Sequence, residues 1–331
     1  MMMTDLCRSP TPRDAKTHTS MMAPTRSTSA LLLLACTSAA CAALTTPANA
    51  YPYKLVTVQP TYKISDWDAA KPIVDGLVSD AKAETGVAYC GYATSRTERS
   101  MSTVGGYKVQ AGDELFGRLA FPDADAALKH MALAKAKTDA LCAGPVTLAD
   151  LSIHGPASEL DKMRADLEDA NFYEIGSGLS RLERETGAMP LPLQLVTLLS
   201  TFTVSDAAAA TRICDELVER TATESNCIYC GWTRREDELV LREAYGSVIG
   251  VARHVENAGD LIESLQSSGA ASFGETRLHT SLANMRLFEE FVEDTKRSSG
   301  YCGAATRRFF AEGGFSRYEV QQSMFGFFFK R

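Results

Sequence analysis

Four histidines lie beyond the first 50 residues, and they fall into two matched pairs. His130 pairs with His254, 124 positions on, and His154 with His279, 125 positions on. The fifth, His18, sits in the N-terminal stretch. An imidazole that titrates near neutral pH is a natural general base. His254 belongs to a stripe of helical period, Val251, His254, Ala258, Leu261 and Leu265, matched by Ala127, His130, Ala134, Lys137 and Leu141. A histidine on an inward apolar stripe either has a buried partner or lines a cavity. His154 and His279 close two strands. Asp150 and Glu275 lie four residues earlier on the same face, about 13 Å away, too far to orient them. Both histidines are read as solvent-facing polar residues, with ligand contact as the alternative. Tyr89, Tyr92, Tyr229 and Trp232 have the planar faces to stack a ligand, against the simpler reading of strand core.

No metal site is predicted, since the histidines are scattered and neither HxH nor HExxH occurs. A dinucleotide loop after a strand is absent, and no GxSxG or Cys/His nucleophile motif stands out.

The pairing extends along the chain. Residues 55–92 align with 195–232 at a constant offset of 140: LVTVQPTYKISD meets LVTLLSTFTVSD, and Tyr89-Cys90-Gly91-Tyr92 meets Tyr229-Cys230-Gly231-Trp232. The offset then drops to 124, aligning Arg118 with Arg242 and Lys129-His130 with Arg253-His254. This is an internal repeat. Each copy reads as an apolar strand, an N-cap (Ser65-Asp66 or Ser205-Asp206), a helix with one apolar stripe, two strands, a second helix at 124–141 or 248–265, and a strand ending in histidine. A third helix and a last extended piece follow. The order β-α-β-β-α-β predicts an α+β chain of two ferredoxin-like domains in tandem, each burying its open sheet face on the other. The expected segments are a cleaved leader at 1–50, a first domain at 51–183, a linker at 184–193, a second domain at 194–319 and an aromatic tail at 320–331. The first copy carries a longer β-hairpin within residues 95–113.

The net charge of -7 and the lack of a basic stripe argue against nucleic acid. The first 50 residues are Ser/Thr-rich and weakly basic, with the run Ala30-Leu31-Leu32-Leu33-Leu34-Ala35 and a small-x-small site at Ala48-Asn49-Ala50. They predict export from the cytosol, by secretion or to a plastid and its lumen, with cleavage after Ala50 and no transmembrane span in the mature chain. Cys227 and Cys230 have redox-motif spacing, but residues three apart on a strand point to opposite faces, which favours buried free thiols.

The stretch 227–265 resembles the antibiotic biosynthesis monooxygenase (ABM) family of dimeric α/β barrels. The residues carrying the resemblance are Tyr229-Cys230-Gly231-Trp232, Arg242-Glu243-Ala244-Tyr245 and His254-Val255-Glu256-Asn257. In the first copy they are Ile153-His154-Gly155-Pro156-Ala157, Glu159-Leu160 and Asn171-Phe172-Tyr173-Glu174. Each copy departs from the pattern: the first has Leu119 and Phe121 for the acid and the phenol, and the second has His279-Thr280-Ser281 for His-Gly-Pro.

The resemblance implies an intramolecular dimeric α/β barrel and a monooxygenase of small aromatic, phenolic or quinol compounds that uses O2 as co-substrate and no required cofactor. It implies His254, His130 and Tyr245 as catalytic residues. Trp232, Tyr92, Tyr229, Tyr89, Arg242, Arg118, His154 and His279 would bind substrate. The competing reading is a non-catalytic small-molecule-binding or assembly protein that docks a protein partner through residues 95–113 or 320–331. A weaker one is haem binding or degradation, since haem-degrading enzymes share the fold.

Overall fold

The structure is a computed structural model that describes residues 51–52, 54–95, 113–180, 195–297, 315–319 and 325–327. The expected leader, the linker, the middle of the long hairpin and most of the aromatic tail lie outside the described residues.

The first half contains β1 (Tyr51–Pro52), β2 (Val56–Ile64), α1 (Trp67–Ala83), β3 (Tyr89–Ser95), β4 (Glu114–Phe121), α2 (Ala124–Cys142), β5 (Val146–Gly155), α3 (Ala157–Arg164) and β6 (Asn171–Ser180). The second contains β7 (Val196–Val204), α4 (Ala207–Thr221), β8 (Cys227–Arg235), β9 (Glu238–Tyr245), α5 (Val248–Ser267), β10 (Ala271–Thr280), α6 (Leu282–Arg297), β11 (Phe315–Glu319) and the short β12 (Phe325–Phe327). Helix starts fall where side-chain acceptors stand ready. Asp66 accepts from the Ala69 amide, Asp206 from Ala208 and Ala209, Asp123 from Ala126, and Ser247 from Gly250, each satisfying amides that the first helical turn leaves open.

All the described strands join one sheet. The order in the first half is β6-β5-β2-β4-β3 and in the second β11-β10-β7-β9-β8. Two seams close the ring: β3 pairs antiparallel with β11, and β6 antiparallel with β8. Only β5–β6 and β10–β11 run parallel. β1 and β12 lie outside the ring, on β6 and β3. The chain is thus a mixed α+β protein around a closed, barrel-like sheet, which leaves its ring no free edge.

Alternation along the strands divides the side chains between two cores. On β4, Leu115, Leu119 and Phe121 pack outward beneath α1 and α2, while Phe116, Arg118 and Ala120 point into the barrel. On β9, Leu239, Leu241, Glu243 and Tyr245 lie outward, and Val240, Arg242 and Ala244 inward. The outer face is strongly apolar, and each Leu or Phe buried there contributes about 1.5–3 kcal/mol. The inner face mixes Leu55, Leu195 and Leu199 with buried polar groups.

One local expectation is corrected. Cys227 and Cys230 face the same outer core, because the β8–β9 ladder shifts register between Cys227 and Tyr229. The extra residue of such a bulge resets the alternation. Both thiols are buried, as are those of Cys90 and Cys214. No described helix is long and apolar enough to cross a membrane.

Candidate functional site

The outer layer places His254 on α5 against β9. Its Nε2 lies 2.9 Å from Glu243 Oε1, and its Nδ1 lies 3.1 Å from both oxygens of Glu224. Asn257, one helical turn on, donates to the same Glu224 at 2.8 Å. The His-x-x-Asn spacing is therefore a grip on one carboxylate, since residues i and i+3 share a helix face. Burial disfavours a charged imidazole here, but Glu243 and Glu224 outweigh it and push His254 up to about 10. A near-neutral base, as expected from the sequence, is not what this geometry provides; it holds an imidazolium. Tyr245 is fully buried beside it, ring centres 5.3 Å apart.

His130 repeats half of this arrangement. Its Nδ1 is 2.7 Å from Glu84, and its ring is 5.3 Å from that of Phe121. Leu119 stands where the other half has Glu243, and Leu133, 64% exposed, where it has Asn257. Glu84 and Glu224 obey the offset of 140, a signal in the sequence that would have identified the histidines' partners. Glu159, in the family-like motif after His154, accepts from the Ala124 amide at 2.9 Å and anchors the start of α2.

Trp232 bridges the halves. Its indole Nε1 donates to Ser177 Oγ at 2.9 Å and to Asp215 Oδ1 at 3.0 Å, and its ring lies against Gly176, where a Cβ would meet ring carbons at 2.0 Å. Tyr92 packs in the outer core of the first half. These two aromatics are wall material, whereas Tyr89 and Tyr229 point into the barrel.

The inner face gathers the remaining candidates. His154 and His279 are buried, at 1% and 5% exposure; the solvent-facing reading is corrected, because closing the barrel covers both strand ends. His154 Nδ1 lies 2.8 Å from Thr233 Oγ1. When that hydroxyl donates to the Val240 carbonyl, 3.4 Å away, it accepts from His154 Nδ1–H, which leaves the lone pair on Nε2. Burial, reinforced by Arg242 and Arg118, holds His154 well below the ordinary histidine range. Burial, with Arg118 and Arg277, does the same for His279. Tyr173 stacks on His154 with ring centres 4.7 Å apart and planes 16° apart, and its hydroxyl donates to Glu238 at 2.8 Å. Arg118 donates from Nη1 to the Tyr229 hydroxyl.

A cavity of about 390 Å3 opens at this end of the barrel. His154, Tyr173, Gln59, Phe116 and Asn171 are among its walls. The Gln59 amide nitrogen is buried with no protein acceptor. A neutral imidazole lone pair and an unmatched amide donor thus line one space. Sequence reasoning missed Gln59, Thr233 and Glu238, because each matters only through a partner on a distant strand. Among the described residues, no group of three or more His, Cys, Asp or Glu side chains is placed to hold a metal ion.

No family model matches the chain, and no curated protein matches it. Solved structures do. A monooxygenase candidate from Fusobacterium nucleatum is 13% identical, covering 68% of this chain and 91% of its own, at a TM-score of 0.45. An anthrone oxidase-like protein is 10% identical over 68% and 94%, at 0.38. The encapsulated DyP-type peroxidase of Mycobacterium smegmatis is 11% identical over 68% and 92%, at 0.36. All three superpose at TM-scores below 0.5, so the description of the fold rests on the strand order itself.

Proposed function

We propose that this chain is a pair of ferredoxin-like, ABM-type halves that oxygenate a small phenolic or quinol compound in the barrel-mouth cavity, with His154 as the base. The matching strand orders and the recurring carboxylate–histidine contact support the paired reading. The observation that carries the functional one is the neutral His154, its lone pair fixed on Nε2 by Thr233, on the wall of a 390 Å3 cavity. A phenol can donate to that nitrogen while its oxygen accepts from the Gln59 amide.

The chemistry asks little more of the protein. Nε2 takes the phenolic or benzylic proton. The resulting anion is the electron source. O2 adds at carbon, the peroxide loses water, and one oxygen atom stays in the product; all the electrons come from the substrate. His254 then serves as a buried ion-pair anchor for its helix, His130 as the matching contact to Glu84, and Tyr245 as packing.

A second reading, a binding protein without turnover, is favoured by the closed packing around His254 and Tyr245. Haem, the cofactor of the weaker reading, needs a ring nitrogen to ligate iron. His254 has both engaged by carboxylates and does not fit, whereas His154 Nε2, on the cavity wall, is the nitrogen that reading would use.

The test is oxygen uptake by the mature chain with naphthols, hydroquinones and anthrones, alongside native mass spectrometry. Turnover lost in His154→Gln with ligand binding retained supports the oxygenase. Binding without uptake in the unaltered protein moves the assignment to the binding reading, and uptake that survives in His154→Gln removes His154 from the reaction.

A further inference from the structure

We propose that the barrel interior is a binding site for a small planar oxyanion of the formate or nitrate type, seated on the Nε–Nη2 edge of Arg118. The site is separate from the mouth cavity and does not rest on the oxygenase reading.

Arg118 stands on β4, its side chain turned into the barrel and 6% exposed. Nη1 is occupied by the Tyr229 hydroxyl. Nε and Nη2 are both buried with no protein hydrogen-bond partner. These two N–H groups point the same way from one edge of a rigid plane, at the spacing of two oxygens of a carboxylate. Among the described residues no salt bridge reaches Arg118. A guanidinium remains charged at ordinary pH, and an uncompensated buried charge is penalised by several kcal/mol.

The surroundings deepen the need for a counter-ion rather than meeting it. Arg242, on β9 in the other half, buries a second guanidinium at 2% exposure. His154 feels burial together with Arg242 and Arg118, and His279 burial together with Arg118 and Arg277. Among the described residues, the walls of the space bordering Arg118 include Tyr89, Phe116, Thr197 and His279 and carry no carboxylate. It measures about 10 Å3, far too small for an aromatic acid, so the ligand is an ion of a few atoms. Phe116 lies in the walls of both cavities and separates this space from the mouth.

The experiment titrates sodium formate and sodium nitrate into desalted protein in a HEPES buffer, read by thermal unfolding and calorimetry. Saturable binding is expected in the unaltered chain and in Tyr229→Phe, which leaves the Nε–Nη2 edge intact. It is expected to vanish in Arg118→Met and to weaken at least roughly tenfold in Arg118→Lys, which keeps a charge but lacks the fork. Removing an uncompensated cation does not threaten folding, so Arg118→Met is expected to melt no lower than the parent in anion-free buffer. The proposal is overturned by no saturable response in the unaltered chain, by an equal response in Arg118→Met, or by one that only follows ionic strength.

Discussion

His254 and Glu243 lie 2.9 Å apart across the boundary between helix and sheet, with Glu224 closing the other side of the imidazole. The pair converts a residue type usually read as a neutral-pH base into a fixed cation. Its consequence is a pH dependence of stability. The folded-state value, about 10, lies above the unfolded histidine value, 6.5. The stabilisation is therefore fully present below about pH 6.5 and is lost as pH rises from there through about 10. Urea denaturation of the unaltered chain at pH 6 and pH 9.5 checks this, with a smaller drop expected in His254→Gln.

The same pair sets the cost of disrupting it. Removing one member of a buried pair strands the other, so His254→Gln is expected to lose about 3–5 kcal/mol. His130→Gln is expected to lose less, because only Glu84 faces that ring. Chemical denaturation of both variants side by side gives the comparison.

Trp232 packs directly over Gly176 across the two halves. A methyl group at position 176 collides with a rigid ring, so Gly176→Ala is expected to cost about 1–3 kcal/mol and to red-shift tryptophan emission. A change in melting temperature with unshifted emission would place the damage elsewhere.

On the proposed oxygenase reading, Thr233 holds His154 in the tautomer that a base requires. In Thr233→Val, oxygen uptake is expected to fall roughly tenfold to a hundredfold, short of the loss expected for the base itself, with Thr233→Ser restoring it. Equal loss in the serine variant would mean that Thr233 acts through packing alone.

The thiols separate by environment. Burial pushes Cys90 and Cys214 up to about 12 and raises Cys230 well above the ordinary thiol range, whereas Cys142 is exposed. Brief alkylation of native protein followed by peptide mass mapping is expected to label Cys142 and to spare Cys90, Cys214, Cys227 and Cys230 until denaturant is added.

Much of the architecture is legible in the chain because period-2 and period-3.6 patterns are local. The strand ends at Phe121 and Tyr245, the caps at Asp66 and Asp206, and the stripe through Val74, Leu77 and Ala81 all follow from neighbours in sequence. The site was harder. Arg242 and Glu243 are adjacent letters, yet one faces the barrel and the other a helix, and which face is which depends on how the sheet closes. The bulge before Tyr229 reverses the expected relation of Cys227 and Cys230, and no composition signal marks it. His154 reads as exposed until the barrel shuts over its strand end.

The hydrogen bond from His154 to Thr233 spans 79 residues and joins the two halves. During synthesis the first half leaves the ribosome well before Thr233 exists, with its histidine unoriented and its cavity lacking the far wall. The His154 contact therefore forms late, when β8 docks on β6. A chain that stops before β8 lacks both Thr233 and the strand that closes this seam.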